Sequence, residues 1–250
     1  MDQNIRGFNI INQEYQKTQA LPVARTFMAN VFMWMTVALA VTAVTAYWFA
    51  STPGLMGSLM NEVNGHYTGL SMLGWIVTLA PLGFVLLMSL GFQKLSPALM
   101  TLLFITFSVL MGMSLSFVLL VYTGASVFKT FAVTSAMFGV MAFLGYTTKT
   151  DLTKFGSILM MALIGMIIAM VVNMFMHSSM MEYIISVAGV LIFTGLSAYD
   201  VQKLKRIGAG IGGDTQNADV RKMSIMGALT LYLDFINLFL FLLRFLGDRK

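Results

Sequence analysis

Leu229-Thr230-Leu231-Tyr232-Leu233-Asp234-Phe235-Ile236-Asn237-Leu238-Phe239-Leu240-Phe241-Leu242-Leu243 is the last apolar stretch of the chain, and it holds a carboxylate near its middle. An acid in hydrocarbon costs about 3 kcal/mol on insertion scales. It therefore needs a partner, a proton or an ion. Asp200, at the end of the preceding apolar stretch, is the obvious partner.

The rest of the chain explains why that stretch reads as a membrane helix. Of 250 residues, 58% are apolar and only 10% are charged, and the mean hydropathy is +0.83. A soluble domain carries about 25% charged residues and could not cover its surface with so few. The apolar residues fall in seven long runs: Phe27–Ala50, Leu70–Phe92, Ala98–Tyr122, Phe131–Thr147, Phe155–Met176, Tyr183–Tyr199 and Met226–Leu243. Each is long enough for a hydrocarbon core of roughly 30 Å. Alternating ten-residue segments, as in a membrane barrel, are missing. The expectation is an all-α polytopic membrane protein. A polar N-terminal arm over residues 1–25 precedes one seven-helix membrane domain over residues 26–250.

Lys and Arg set the orientation. With the N-terminus in the cytoplasm, eleven of the 15 basic residues fall in inside segments, as the positive-inside rule requires. Lys129, Arg244, Arg249 and Lys250 are the exceptions. The basic tail fits poorly outside, and a last segment that turned back would move it inside. The basic residues cluster at helix ends, so the net charge of +5 gives no reason to expect a nucleic-acid partner. With no cysteine, thiol catalysis and thiolate metal sites are excluded.

Two nearby carboxylates cannot both ionise cheaply, so they share a proton or recruit a cation. Hard cations such as calcium take several oxygen ligands. Ser197 and Asn237 could supply some, and Asn237 shares a helix face with Asp234 at i+3. Tyr199 and Tyr232 are further candidates to support the pair. The plain alternatives stay open: Asp200 could be interfacial and paired with Lys203 or Lys205, and Asp234 could be hydrogen-bonded to a Tyr or Ser for structure alone. Tyr199-Asp200 resembles half of an intramembrane aspartyl protease, but no Gly-x-Gly-Asp precedes the other acid. The last span has no lysine for a retinal Schiff base. No ATP-binding motif occurs. An enzyme is not expected, and no resident cofactor is expected. Gly208-Ala209-Gly210-Ile211-Gly212-Gly213 has no strand before it, which rules out a dinucleotide fingerprint and predicts a cytoplasmic loop.

Three further motifs carry a resemblance. Gly195-Leu196-Ser197-Ala198-Tyr199-Asp200-Val201-Gln202-Lys203-Leu204-Lys205, Gly227-Ala228-Leu229-Thr230-Leu231-Tyr232-Leu233-Asp234-Phe235-Ile236-Asn237-Leu238-Phe239, and Gly145-Tyr146-Thr147-Thr148-Lys149-Thr150-Asp151-Leu152 resemble the Bax inhibitor (transmembrane Bax-inhibitor-motif) family, in particular its bacterial inner-membrane branch. The resemblance implies seven helices, with the last central and wrapped by the other six. It implies a pH-sensitive calcium leak, with Asp200 and Asp234 as the sensor and calcium as the passing ion. Some members latch this pair with an arginine on the second helix. Leu70–Phe92 has no Arg or Lys, which leaves Lys94 as the candidate latch. Other relatives modulate a membrane-anchored ATP-dependent protease without transport. A proton-coupled cation exchanger is the third expectation.

Overall fold

A computed structural model describes residues 2–63, 66–211 and 217–250, with side chains from residue 23 onward except residues 62–67. It is built from helices α1 (Asp2–Ser51), α2 (Pro53–Leu59), α3 (Met72–Leu90), α4 (Pro97–Val121), α5 (Gly124–Thr147), α6 (Thr153–Met176), α7 (Ser179–Ala209) and α8 (Ala218–Leu246). Between α2 and α3, strands β1 (Met60–Val63) and β2 (His66–Leu70) form an antiparallel hairpin. Among the described residues seven helices, all but α2, are long and apolar enough to cross a membrane.

Local chemistry sets the ends of these helices. Ser71, Ser96, Thr123 and Ser178 each accept a hydrogen bond from a backbone N–H in the first turn of α3, α4, α5 and α7, which satisfies a donor that the helix cannot. Pro97 opens α4, where its missing N–H costs nothing. α3 continues through Pro81.

The last helix is central. In its most apolar window, 72% of α8 is buried by protein, against 17% for α6. α7, α1, α5 and α4 pack directly on α8, while α3 packs on α4 and α6 on α7. α3 and α6 thus pack mainly through α4 and α7. Phe104 and Phe107 of α4 meet the Tyr232 ring edge-on, with centroids 6.4 and 5.3 Å away. Side chains that face lipid gain no water-exclusion energy, so close packing holds these helices together. Gly145 of α5 lies against the Ala198 backbone of α7, and Gly112 of α4 lies against Thr42 of α1, with no room for a Cβ at either place. Gly139 and Gly165, small residues of the same kind, face open space.

Several expected boundaries move. The backbone of α1 is helical from Asp2, so the first helix begins well before Phe27. α5 starts seven residues before Phe131, at Gly124. α7 runs past Tyr199 to Ala209, and α8 begins at Ala218 instead of Met226. Apolar runs mark only the hydrocarbon-embedded part of a helix, so polar helical extensions at the ends go unseen. The expected glycine loop starts late for the same reason. Gly208 is within α7, packed against Phe27 and Ala24, while residues 212–216 are outside the description.

The C-terminal tail does not turn back. Thr123 N–H donates to Asp248 O at 3.0 Å and Lys250 N–H to Val121 O at 2.9 Å, so the tail lies along the α4–α5 turn. Its charges are occupied there. Arg244 and Arg249 both approach Glu182, at 3.8 and 3.6 Å, and Lys250 Nζ donates to Leu119 O. α8 therefore does not fold back, and it ends beside the α4–α5 turn.

Candidate functional site

α7 and α8 form an antiparallel pair, and its length decides what meets. α7 extends nine residues beyond Asp200, which keeps that residue within the bundle. Asp234 is 16 residues into α8, roughly 24 Å along its axis at 1.5 Å per residue. The Asp200 and Asp234 side chains come within hydrogen-bonding range of each other. Asp234 is 5% exposed, and its Oδ2 is buried with no hydrogen-bond partner among the described residues.

Two cavities adjoin the pair. One, of about 660 Å³, opens among α1, the end of α3, α7 and α8, and is lined by Phe27, Gln93, Asp200, Lys203, Ile207 and Thr230, among others. The second, of about 390 Å³, is between α6, α7 and α8, and includes Met166, Leu196, Asp200, Thr230, Asp234 and Asn237. Asp200 and Thr230 border both. They form the wall between the chambers, and Asp234 stands behind it. Of the two acids, Asp200 alone lines the larger chamber.

The supporting residues divide. Asn237 lines the smaller cavity with Asp234, and its Nδ2 donates to Leu233 O at 2.8 Å, which leaves its Oδ1 available as an acceptor. Ser197 is fully buried and donates to Phe193 O of its own helix at 2.7 Å. Tyr199 packs its ring against Gly156 of α6. Tyr232 points away from the pair and hydrogen-bonds Thr42 at 2.8 Å. Successive helical positions rotate by about 100°, which turns Tyr199 and Tyr232 off the face of their neighbouring acids. Ser197 and Tyr232 thus spend their hydroxyls on other partners.

Lys94, the candidate latch, is exposed in the turn after α3 and lines neither cavity. The cation close to both acids is Lys203, one turn after Asp200. The residue that sequence reasoning missed is Thr230. Its spacing of i−4 from Asp234 was the available signal.

A polar clasp holds α7 below the pair. Gln202 is buried and bonds the α5–α6 turn twice, accepting from Leu152 N–H at 2.9 Å and donating to Thr150 O at 2.8 Å. Arg206 pairs with Asp151 at 2.7 Å, and Lys205 Nζ donates to Tyr146 O at 2.6 Å. Hydrogen bonds from Thr153 and the Arg206 guanidinium hold the Asp151 carboxyl well below the usual carboxylate range. Among the described residues no group of three or more His, Cys, Asp or Glu could hold a metal. The oxygen-bearing side chains lining the smaller cavity are the two carboxylates, Thr230 and Asn237.

The family model described as inhibitor of apoptosis-promoting Bax1 matches residues 24–250. Among curated proteins, the chain is 46% identical over 227 residues to the inner membrane protein YbhL of Escherichia coli (strain K12), covering 90% of this chain and 93% of that one. It is 41% identical over 226 residues to the uncharacterized protein RP147 of Rickettsia prowazekii (strain Madrid E), covering 90% and 91%. An uncharacterized membrane protein of Streptococcus pyogenes serotype M1 is 32% identical over 239 residues, covering 95% and 99%.

Proposed function

The chain belongs to the Bax inhibitor family, and from that premise we propose a passive calcium leak across the inner membrane, gated by a proton shared between Asp200 and Asp234. The observation that carries this reading is the position of the two carboxyl groups, within hydrogen-bonding range beside the wall between two chambers. In a site poor in water, two charged carboxylates at that range need a proton or a cation between them. With the proton, Asp200 and Asp234 hydrogen-bond and hold α7 against α8. Without it they repel, and calcium replaces the proton with Thr230 and Asn237 as further oxygens.

The positive-inside rule puts the N-terminus and the larger chamber in the cytoplasm. The inner membrane is the location given in the name of the Escherichia coli relative, and seven apolar helices fit it. Lys203, beside Asp200, raises the barrier to cations arriving from the cytoplasmic chamber and would slow the leak.

The test is calcium uptake into proteoliposomes at equal pH on both sides. Downhill uptake supports the leak. Uptake that needs an imposed proton gradient makes the protein an exchanger. No uptake above empty vesicles removes transport and leaves an interaction role, which deleting residues 1–18 would then probe.

A further inference from the structure

We propose that the cavity between α6, α7 and α8 is a binding site for lipophilic amine cations that enter from the bilayer. It shares Asp234 with the proposed gate, but binding needs only the cavity and a carboxylate and does not require that calcium pass. Three observations carry it. The first is access: Met160, Ile167 and Met170 of α6 line the cavity and are 47%, 51% and 38% exposed on a membrane-spanning helix. The outer wall therefore borders lipid, and a ligand reaches the cavity sideways without crossing water.

The second is charge. At the inner end is Asp234, 5% exposed, with a buried Oδ2 that has no hydrogen-bond partner among the described residues. An unpaired acceptor of that kind demands a donor, and an ammonium N–H supplies both the proton and the opposite charge. The third is the composition of the wall. Among the described residues lining this cavity there is no Lys, Arg or His. A zwitterionic headgroup would bring a phosphate with nothing to pair it, so a single positive charge on an apolar tail fits better. Three methionines and the stacked rings of Phe193 and Phe241, 5.8 Å between centroids, make a soft wall suited to a tail and a nearby cation. At about 390 Å³ the space suits a small organic ligand, for which pockets run to roughly 300–1,000 Å³.

The experiment is photolabelling of the full chain in phosphatidylcholine vesicles with a long-chain primary amine bearing a diazirine, followed by peptide mapping. Labelling should concentrate on α6 between Met160 and Met170. Excess decylamine should reduce it about tenfold, the equivalent of 1.4 kcal/mol, while decanol and added phosphatidylethanolamine should not. Met170→Trp, which narrows the mouth and leaves both acids in place, should lower it as well, and Asp234→Asn should remove the advantage of amine over alcohol. Label spread evenly over lipid-facing helices, or equal competition by decanol, overturns the proposal. Competition by phosphatidylethanolamine overturns the preference for a plain monocation. A protein that labels here but passes no calcium keeps this site and loses the leak; one that passes calcium without labelling does the reverse.

Discussion

Tyr232 of α8 and Thr42 of α1 share a hydrogen bond of 2.8 Å on the face of α8 turned away from Asp234. Thr42 gives its own proton to Ser108 O of α4 at 2.9 Å, so Tyr232 is the donor and the three helices are linked in a relay. Tyr232 is fully buried, and its ring abuts the stacked pair of Phe104 and Phe107 edge-on. This anchor fixes the rotation of α8, and with it the direction in which Asp234 points.

Tyr232→Phe should therefore cost little stability but loosen that rotation. The Thr42 hydroxyl keeps its bond to Ser108, so the loss should be near the low end of about 0.5–1.5 kcal/mol. Thermal unfolding in detergent measures it. Thr42→Val should cost more, because it strands the buried Tyr232 hydroxyl. Equal and additive losses in the two single variants and the double variant would contradict a shared relay.

The clasp beneath the pair should not respond to pH in the physiological range. Asp151 is held low by Thr153 and Arg206. A depressed carboxylate contributes stability that is fully present above its unfolded value, about 3.9, and is lost as pH falls through the folded value. The Asp151→Asn defect should thus be constant between about pH 5 and 8 and close only in strong acid. Gln202→Leu removes two backbone partners at Leu152 and Thr150 and should cost about 1–3 kcal/mol. Unfolding curves of both variants across pH check this, and an Asp151→Asn defect that changes between pH 5 and 8 would count against it.

The tail strap predicts a topology. The chain has no cysteine, so a single introduced thiol reports its own side of the membrane. Lys250→Cys should react with a membrane-impermeant maleimide in cells whose outer barrier is opened, and Arg221→Cys only after the inner membrane is breached. Removing residues 247–250 should expose the Thr123 N–H to hydrogen exchange, since Asp248 O is its acceptor. The ion pairs to Glu182 are about half exposed and add at most about 1 kcal/mol.

Most of the membrane architecture was legible in the sequence because lipid imposes a simple rule: apolar runs of sufficient length become helices. Asp200 and Asp234 stood out for the complementary reason, as charges in such runs. What was hidden depends on helix rotation and on polar pairings distant in sequence. Nothing in the residue order says that Tyr232 turns toward Thr42, that Tyr199 packs on Gly156, or that Lys203, not Lys94, lines a cavity with Asp200. The polar ends of α7 and α8 were equally hidden, since their stability comes from packing and from contacts such as Lys222 Nζ with Phe92 O. The basic tail looked misplaced because charge counting cannot see that Glu182 and the end of α4 receive it.

Calcium flux as a function of pH, in proteoliposomes of the wild-type chain and of Asp234→Asn, tests the central claim most directly. Wild-type flux should rise as the shared proton leaves the pair, and the variant, which cannot share it, should show a changed flux with a flattened pH profile. Equal flux and an equal pH response in the two proteins would contradict the gate.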